Sequence, residues 1–109
     1  MELRQLKHFV GVARAGSFTK ASEVLNLSQP ALTRSIQSLE HRLKTKLFLR
    51  SRGGVELTED GATLLRHASL IMNSLDSAQS ELLASGGGGY REVRIGIASL
   101  FTNMLADLS

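Results

Sequence analysis

The 109-residue chain contains no cysteine and a single proline. The first absence excludes disulfides, thiolate nucleophiles and cysteine-ligated zinc, and it suits a reducing compartment. No apolar stretch approaches the roughly 18 residues needed to cross a bilayer. The N-terminus also lacks the basic start and unbroken apolar segment of a secretory signal. These absences predict a soluble, cytoplasmic protein that does not enter a membrane. Catalytic and cofactor signatures are missing as well. His8, His41 and His67 are scattered without metal-ligand spacing, so no metal and no cofactor is expected. The glycines at 86–89 follow a helical stretch and lack the Gly-Lys-Ser/Thr of a phosphate loop. None of the serines sits in a Gly-x-Ser-x-Gly turn. With no nucleophile–base pair in view, an enzyme is not expected.

Acids are scarce in the first half. Residues 1–57 carry ten Lys/Arg against four Asp/Glu, a net +6, whereas the remainder carries three against six, a net −3. A basic first half on a mildly acidic second half points to a polyanionic partner for the first half alone.

Apolar periodicity then organises the chain. Leu3, Leu6, Phe9 or Val10, and Ala13 predict a first helix, ended by Gly16. Ser17 is a good N-cap for a second, short helix that faces inward through Phe18, Ala21, Val24 and Leu25. Asn26-Leu27-Ser28 reads as a turn with Leu27 buried. Ser28 caps a third helix, and Pro30 falls in its first turn, where a missing N–H costs nothing. Leu32, Ile36, Leu39 and Leu43 turn one stripe of this helix to the core. Its other side shows Gln29, Thr33, Arg34, Gln37, Ser38 and His41, and the nearest acid, Glu40, lies at least a turn along. The apolar runs Leu47–Leu49 and Val55–Leu57 flank Arg50-Ser51-Arg52-Gly53-Gly54, which predicts a β-hairpin with arginines at its tip and the glycine pair supplying positive φ. Thr58 caps a long helix with Glu59 and Asp60 in its first turn, where the helix dipole favours acids. Leu64, Ala68, Ile71, Leu75, Ala78 and Leu82 form a heptad seam on it. The seam has nothing evident in this chain to bury it, so a second copy is the expected cover; packing on a further domain is the alternative. From 58 to 83 such a helix would run about 39 Å.

A short helix, a three-residue turn and a helix with a polar outer face are the parts of a helix-turn-helix, here at about 18–37. The second helix of such a unit enters the major groove. There Arg34 can bond guanine, Gln29 or Gln37 can bond adenine, and Thr33 can offer a hydroxyl or a methyl. Pro30 and Ala31 keep its start slim. Arg50 and Arg52 suit a narrow, negative minor groove, and Ser17, Thr19 and Lys20 could hold phosphates. A polar helix face is by itself usually just solvated, so spacing alone does not establish DNA binding.

Residues 1–65 resemble the N-terminal domain of LysR-type transcriptional regulators. The likeness is carried by Leu6–Phe9, Gly16-Ser17-Phe18, Ala21, Leu25, Ser28-Gln29-Pro30-Ala31-Leu32-Thr33-Arg34, Ile36, Leu39-Glu40 and Leu43. It continues through Leu47-Phe48, Arg50 and Leu57-Thr58-Glu59-Asp60-Gly61. The resemblance implies a mainly α fold: a winged helix-turn-helix over 1–58 with a small β-hairpin wing, then a dimerisation helix over 59–84. It places Gln29, Pro30, Thr33 and Arg34 on the recognition surface and Arg50 on the wing; Ser28, the cap of that helix, is counted with the DNA-binding residues. Its implied partners are double-stranded DNA, as an inverted repeat, and a second copy of the chain. After a Gly-rich hinge at 85–89, residues 90–109 resemble the start of a periplasmic-binding-protein-like effector domain. Tetramers and a small-molecule effector would belong to a longer form carrying that domain. Two residues depart from the family pattern. Lys44 stands where glycine is usual, which predicts a shifted helix end or a small loss of stability, and Lys46 stands where proline is common. A reading of another class is an interaction module, whose heptad helix forms mixed dimers with longer relatives.

Overall fold

The computed structural model describes residues 1–85. Its elements run α1 (Leu3–Ala15), α2 (Phe18–Leu25), α3 (Gln29–Leu43), β1 (Phe48–Ser51), β2 (Gly54–Leu57) and α4 (Glu59–Ala84). The fold is a winged helix-turn-helix followed by a long helix. The hinge glycines at 86–89 and the strand expected after them lie outside the described residues.

Local chemistry accounts for the helix boundaries. The Glu2 N–H donates to Gln5 Oε1 at the start of α1. Gly16, left-handed at φ 72°, ends α1 by returning its N–H to the Val12 carbonyl. Ser17 Oγ then accepts from the Lys20 N–H at 3.1 Å, and Ser28 Oγ from the Ala31 N–H at 3.2 Å; each satisfies an amide that the helix geometry leaves free. Asn26 closes α2 in the left-handed region, which asparagine tolerates better than most side chains. Lys44 does the same for α3 at φ 57° and ψ 40°. The helix end therefore has not shifted to accommodate lysine.

Residues 1–72 form one compact unit. Its core draws Leu6, Phe9, Val10 and Val12 from α1, Phe18 and Ala21 from α2, and Leu32, Ile36 and Leu39 from α3; Leu47 and Phe48 join from the hairpin side. Phe48 is the hub, with its ring centre 5.1 Å from Phe9 and 6.0 Å from Phe18 in an edge-on approach. Three positions expected inside are not. Leu3 is about half exposed, Val24 is 80% exposed and Leu43 is 37% exposed. Leu3 and Leu43 lie in the terminal turns of their helices, where the chain beyond no longer covers the face. Val24 faces outward because Ala21, Leu25 and the buried Ser22 take the inner positions of the two-turn α2.

The hairpin is antiparallel with Phe48 opposite Leu57, Leu49 opposite Glu56, Arg50 opposite Val55 and Ser51 opposite Gly54. Its turn is thus Arg52-Gly53 alone. Gly54, at φ 129°, is the only one of the pair with positive φ. A Cβ there would also lie 2.3 Å from the Gly16 carbonyl oxygen, which accepts the Val55 N–H at 3.1 Å. The wing is therefore docked on the α1–α2 turn through backbone that only glycine lets approach.

Thr58 joins wing to α4. Its N–H donates to the Leu47 carbonyl at 3.0 Å, its hydroxyl donates to the Lys46 carbonyl at 2.6 Å, and Oγ1 accepts the Gly61 N–H at 3.0 Å. A Cβ on Gly61 would sit 2.1 Å from the Leu47 oxygen, so this close approach also requires glycine. Within the same unit Ala68 is fully buried, and Leu64, Leu65 and Met72 pack against the core. Of the first two seam positions, Ala68 is thus covered by this chain's own domain and Leu64 is half-buried against it. Ile71 is 41% exposed. From Asn73 onward the chain belongs to a second unit; there Leu75 is 38% exposed, while Ala78 and Leu82 are half-buried. Among the described residues, no helix is long and apolar enough to cross a membrane.

Candidate nucleic-acid interface

The buried stripe of α3 settles which of its sides is free. With Leu32, Ile36 and Leu39 inward, Gln29, Pro30, Arg34 and Gln37 are exposed and Thr33 is half-exposed. Helical spacing puts positions 30, 33, 34 and 37 on neighbouring turns of one face. Arg34 Nε makes a long, 3.4 Å hydrogen bond to the Pro30 carbonyl, so its guanidinium follows the helix surface towards its N-terminus.

Two shallow grooves flank this face. One is lined by Ser17, Phe18 and Thr19 of the α2 start, Gln29 of the α3 start, and the hairpin from Arg50 to Val55. The other runs between α3 and β1, with Thr33, Gln37, Glu40, Lys46 and Arg50 along it. The structure thereby brings together Ser17, Thr19, Gln29, Arg50 and Arg52 from three elements. Lys20 is exposed on α2, one turn from Ser17. The hydroxyls of Ser17 and Ser28 are occupied as helix caps, and the Gln29 amide donates to Thr19 Oγ1.

The arginines are not both at the hairpin tip, as the sequence suggested. Arg52 is in the turn, but Arg50 is in β1 opposite Val55. Its guanidinium carbon lies 3.9 Å from the centre of the Phe18 ring, and Nη2 donates to Thr33 Oγ1 at 3.0 Å. The tip assignment failed because a two-residue turn is shorter than the five-residue segment between the apolar runs, which draws Arg50 and Ser51 into the strand.

Glu40 has a role that the sequence reading missed. Its carboxylate, 11% exposed, accepts the Leu47 N–H at 2.7 Å and the Phe48 N–H at 3.4 Å, and lies 3.9 Å from Lys46 Nζ. It ties the end of α3 to the start of the wing. An acid surviving in a strongly basic half was the available signal. Among the described residues the only other ion pair joins Arg4 to Glu2, so Lys20, Arg34, Arg50 and Arg52 carry charge with no acid paired to it. A surface of this kind attracts phosphate.

Comparison with known proteins agrees with this geometry. The family model for bacterial regulatory helix-turn-helix proteins, lysR family, matches residues 3–62. The SDS degradation transcriptional activation protein of Pseudomonas sp. (strain ATCC 19151) is 46% identical over 98 residues, which are 87% of this chain and 31% of that protein. The HTH-type transcriptional regulator BudR of Klebsiella aerogenes is 41% identical over 99 residues, 91% of this chain and 69% of that one. Among solved structures, the BenM DNA-binding domain in complex with catB site 1 DNA superposes with a TM-score of 0.74 at 36% identity, covering 82% of this chain and all of that one. The chain spans less than half the length of several curated relatives it matches. With the family model covering more than half of its residues and the winged helix-turn-helix in place, the chain belongs to the lysR family of bacterial regulatory helix-turn-helix proteins.

Proposed function

We propose that this chain is the DNA-reading and pairing part of a cytoplasmic transcription regulator, not an enzyme, and that it binds an inverted-repeat operator as a dimer. The observation that carries this reading is the convergence of the polar α3 face, the α2 start and the wing on one side, with Lys20, Arg34, Arg50 and Arg52 unneutralised. In this reading α3 lies in the major groove, where Arg34, Gln29, Thr33 and Gln37 meet base edges and Pro30 allows close approach. Arg52, at the turn, enters the flanking minor groove. Thr19 and Lys20 hold phosphate, with Ser17 and Ser28 ordering the helix starts that face it. The similarity to regulators and to a DNA-binding domain solved on DNA supports the same assignment.

The pairing surface is the later part of the seam. Ile71 and Leu75 are exposed apolar residues at helical spacing, continued by Ala78 and Leu82, and a second copy of α4 is the proposed cover. A two-fold dimer demands a two-fold operator.

Two substitutions separate the roles. Arg34→Ala is expected to cost ~1–3 kcal/mol of binding and to relax preference at one base position. Lys20→Ala should weaken every sequence alike and reduce the salt slope by about one. Titration of each variant on cognate and scrambled duplexes measures both. Uniform weakening by Arg34→Ala would remove it from base reading.

A further inference from the structure

Arg50 leaves the hairpin towards the helices. The guanidinium rests on the Phe18 ring, 3.9 Å from its centre, and Nη2 donates to Thr33 Oγ1 at 3.0 Å. Phe18 is itself held in the core, edge-on to Phe48. An exposed wing arginine is therefore held at two points, by a ring from α2 and a hydroxyl from α3. The stacking and the hydrogen bond offset the rotamer freedom a solvated arginine would keep.

The consequence falls on Thr33. A guanidinium has donors and no acceptor, so the direction of this bond is fixed, while a threonine hydroxyl has one hydrogen and two lone pairs. One lone pair is committed to a cation, which strengthens the hydroxyl as a donor. Among the described residues Thr33 Oγ1 donates no hydrogen bond of its own, and Thr33 lines the groove that Arg50 also lines. In the major groove a donor finds thymine O4, guanine O6 and N7, or adenine N7, whereas the cytosine amino group offers it nothing.

We propose that Arg50 is a positioning residue acting through Thr33: by occupying one lone pair of the Thr33 oxygen and setting a cation beside it, it favours the hydroxyl as a donor over a second accepted bond and so sets base preference at a recognition-helix position. The inference rests on the DNA-reading function proposed above. It makes wing and recognition helix a coupled reader, in which a residue of one governs what a residue of the other accepts.

The test is a randomised-DNA selection on the full chain and its variants, followed by competition titrations. If the unsubstituted chain selects no sequence, the DNA-reading function itself falls. Given a selected site, the position that responds to Thr33→Val marks the Thr33 contact. There the unsubstituted chain should prefer an acceptor-bearing base over cytosine by about fivefold. Thr33→Ser should keep that preference and Thr33→Val should abolish it. Arg50→Met, with Thr33 intact, should reduce it to less than about twofold, and adding Thr33→Val should then remove little more. Unchanged preferences at the remaining positions report that each variant is folded. The proposal is overturned if Arg50→Met weakens all four bases alike and leaves the preference standing. It is equally overturned if Thr33→Ser loses the preference, or if Thr33→Val alters it nowhere.

Discussion

Lys44 bears a backbone conformation that costs a side chain about 1 kcal/mol or more. Its φ of 57° at the end of α3 is the geometry for which glycine is suited. Lys44→Gly should therefore stabilise the domain by up to about 1 kcal/mol, less whatever the glycine adds to the freedom of the unfolded chain. Denaturant unfolding measures the difference, and a destabilised variant would mean that the lysine side chain contributes more than the strain removes. His8 offers a second residue-level prediction. Its Nδ1 lies 2.7 Å from Ser35 Oγ, and burial, with Arg4 and Lys7 nearby, holds its pKa below the ordinary 6.5. The unfolded chain then takes up a proton at higher pH than the folded one. The His8 contribution to stability is thus fully present above pH 6.5 and declines as pH falls from there through the lowered pKa. His8→Gln should remove that part of the slope in unfolding midpoints across the weakly acidic range; an unchanged slope would assign it to other groups.

The wing is held as an element by contacts distant in sequence. Glu40 caps the two amides at its entry, the Gly16 carbonyl takes the Val55 N–H, and Thr58 ties its exit to the backbone at Lys46 and Leu47. Glu40→Ala would leave the buried Leu47 amide without its carboxylate, at an expected cost of about 2–3 kcal/mol. DNA affinity should fall with the disordering of the wing, which hydrogen exchange at the hairpin amides would report; wild-type protection in the variant would show that Glu40 does not hold it. What was legible at this scale followed from spacing and caps: Ser17, Ser28, Pro30 and Gly16 mark their helix ends by chemistry contained within a turn. The contact of Arg50 with Phe18 and Thr33 was not legible, because it depends on the hairpin's docking angle and on the two-residue turn. Glu40 was equally hidden, since a half-buried carboxylate and a solvated one look alike in a helix pattern.

For the whole molecule, the heptad spacing on α4 carried two meanings that periodicity cannot separate. Leu64 and Ala68 turn into the domain's own core, while Ile71 and Leu75 remain exposed. Burial against one's own chain and burial against a copy require the same apolar period. If the exposed part is the dimer surface, Leu75→Lys should give a monomer by sedimentation without loss of the folded domain, and half-site binding in place of cooperative binding to two half-sites. A dimer that survives the substitution would place the contact elsewhere.

The central claim is that the α3–wing face reads DNA sequence in a two-fold arrangement. Randomised-DNA selection with the unsubstituted chain, with the selected site then titrated at two salt concentrations, tests it most directly. The account predicts an enriched inverted repeat whose affinity falls steeply with salt, as several phosphate contacts require. Weak binding without sequence preference at either salt concentration would contradict it.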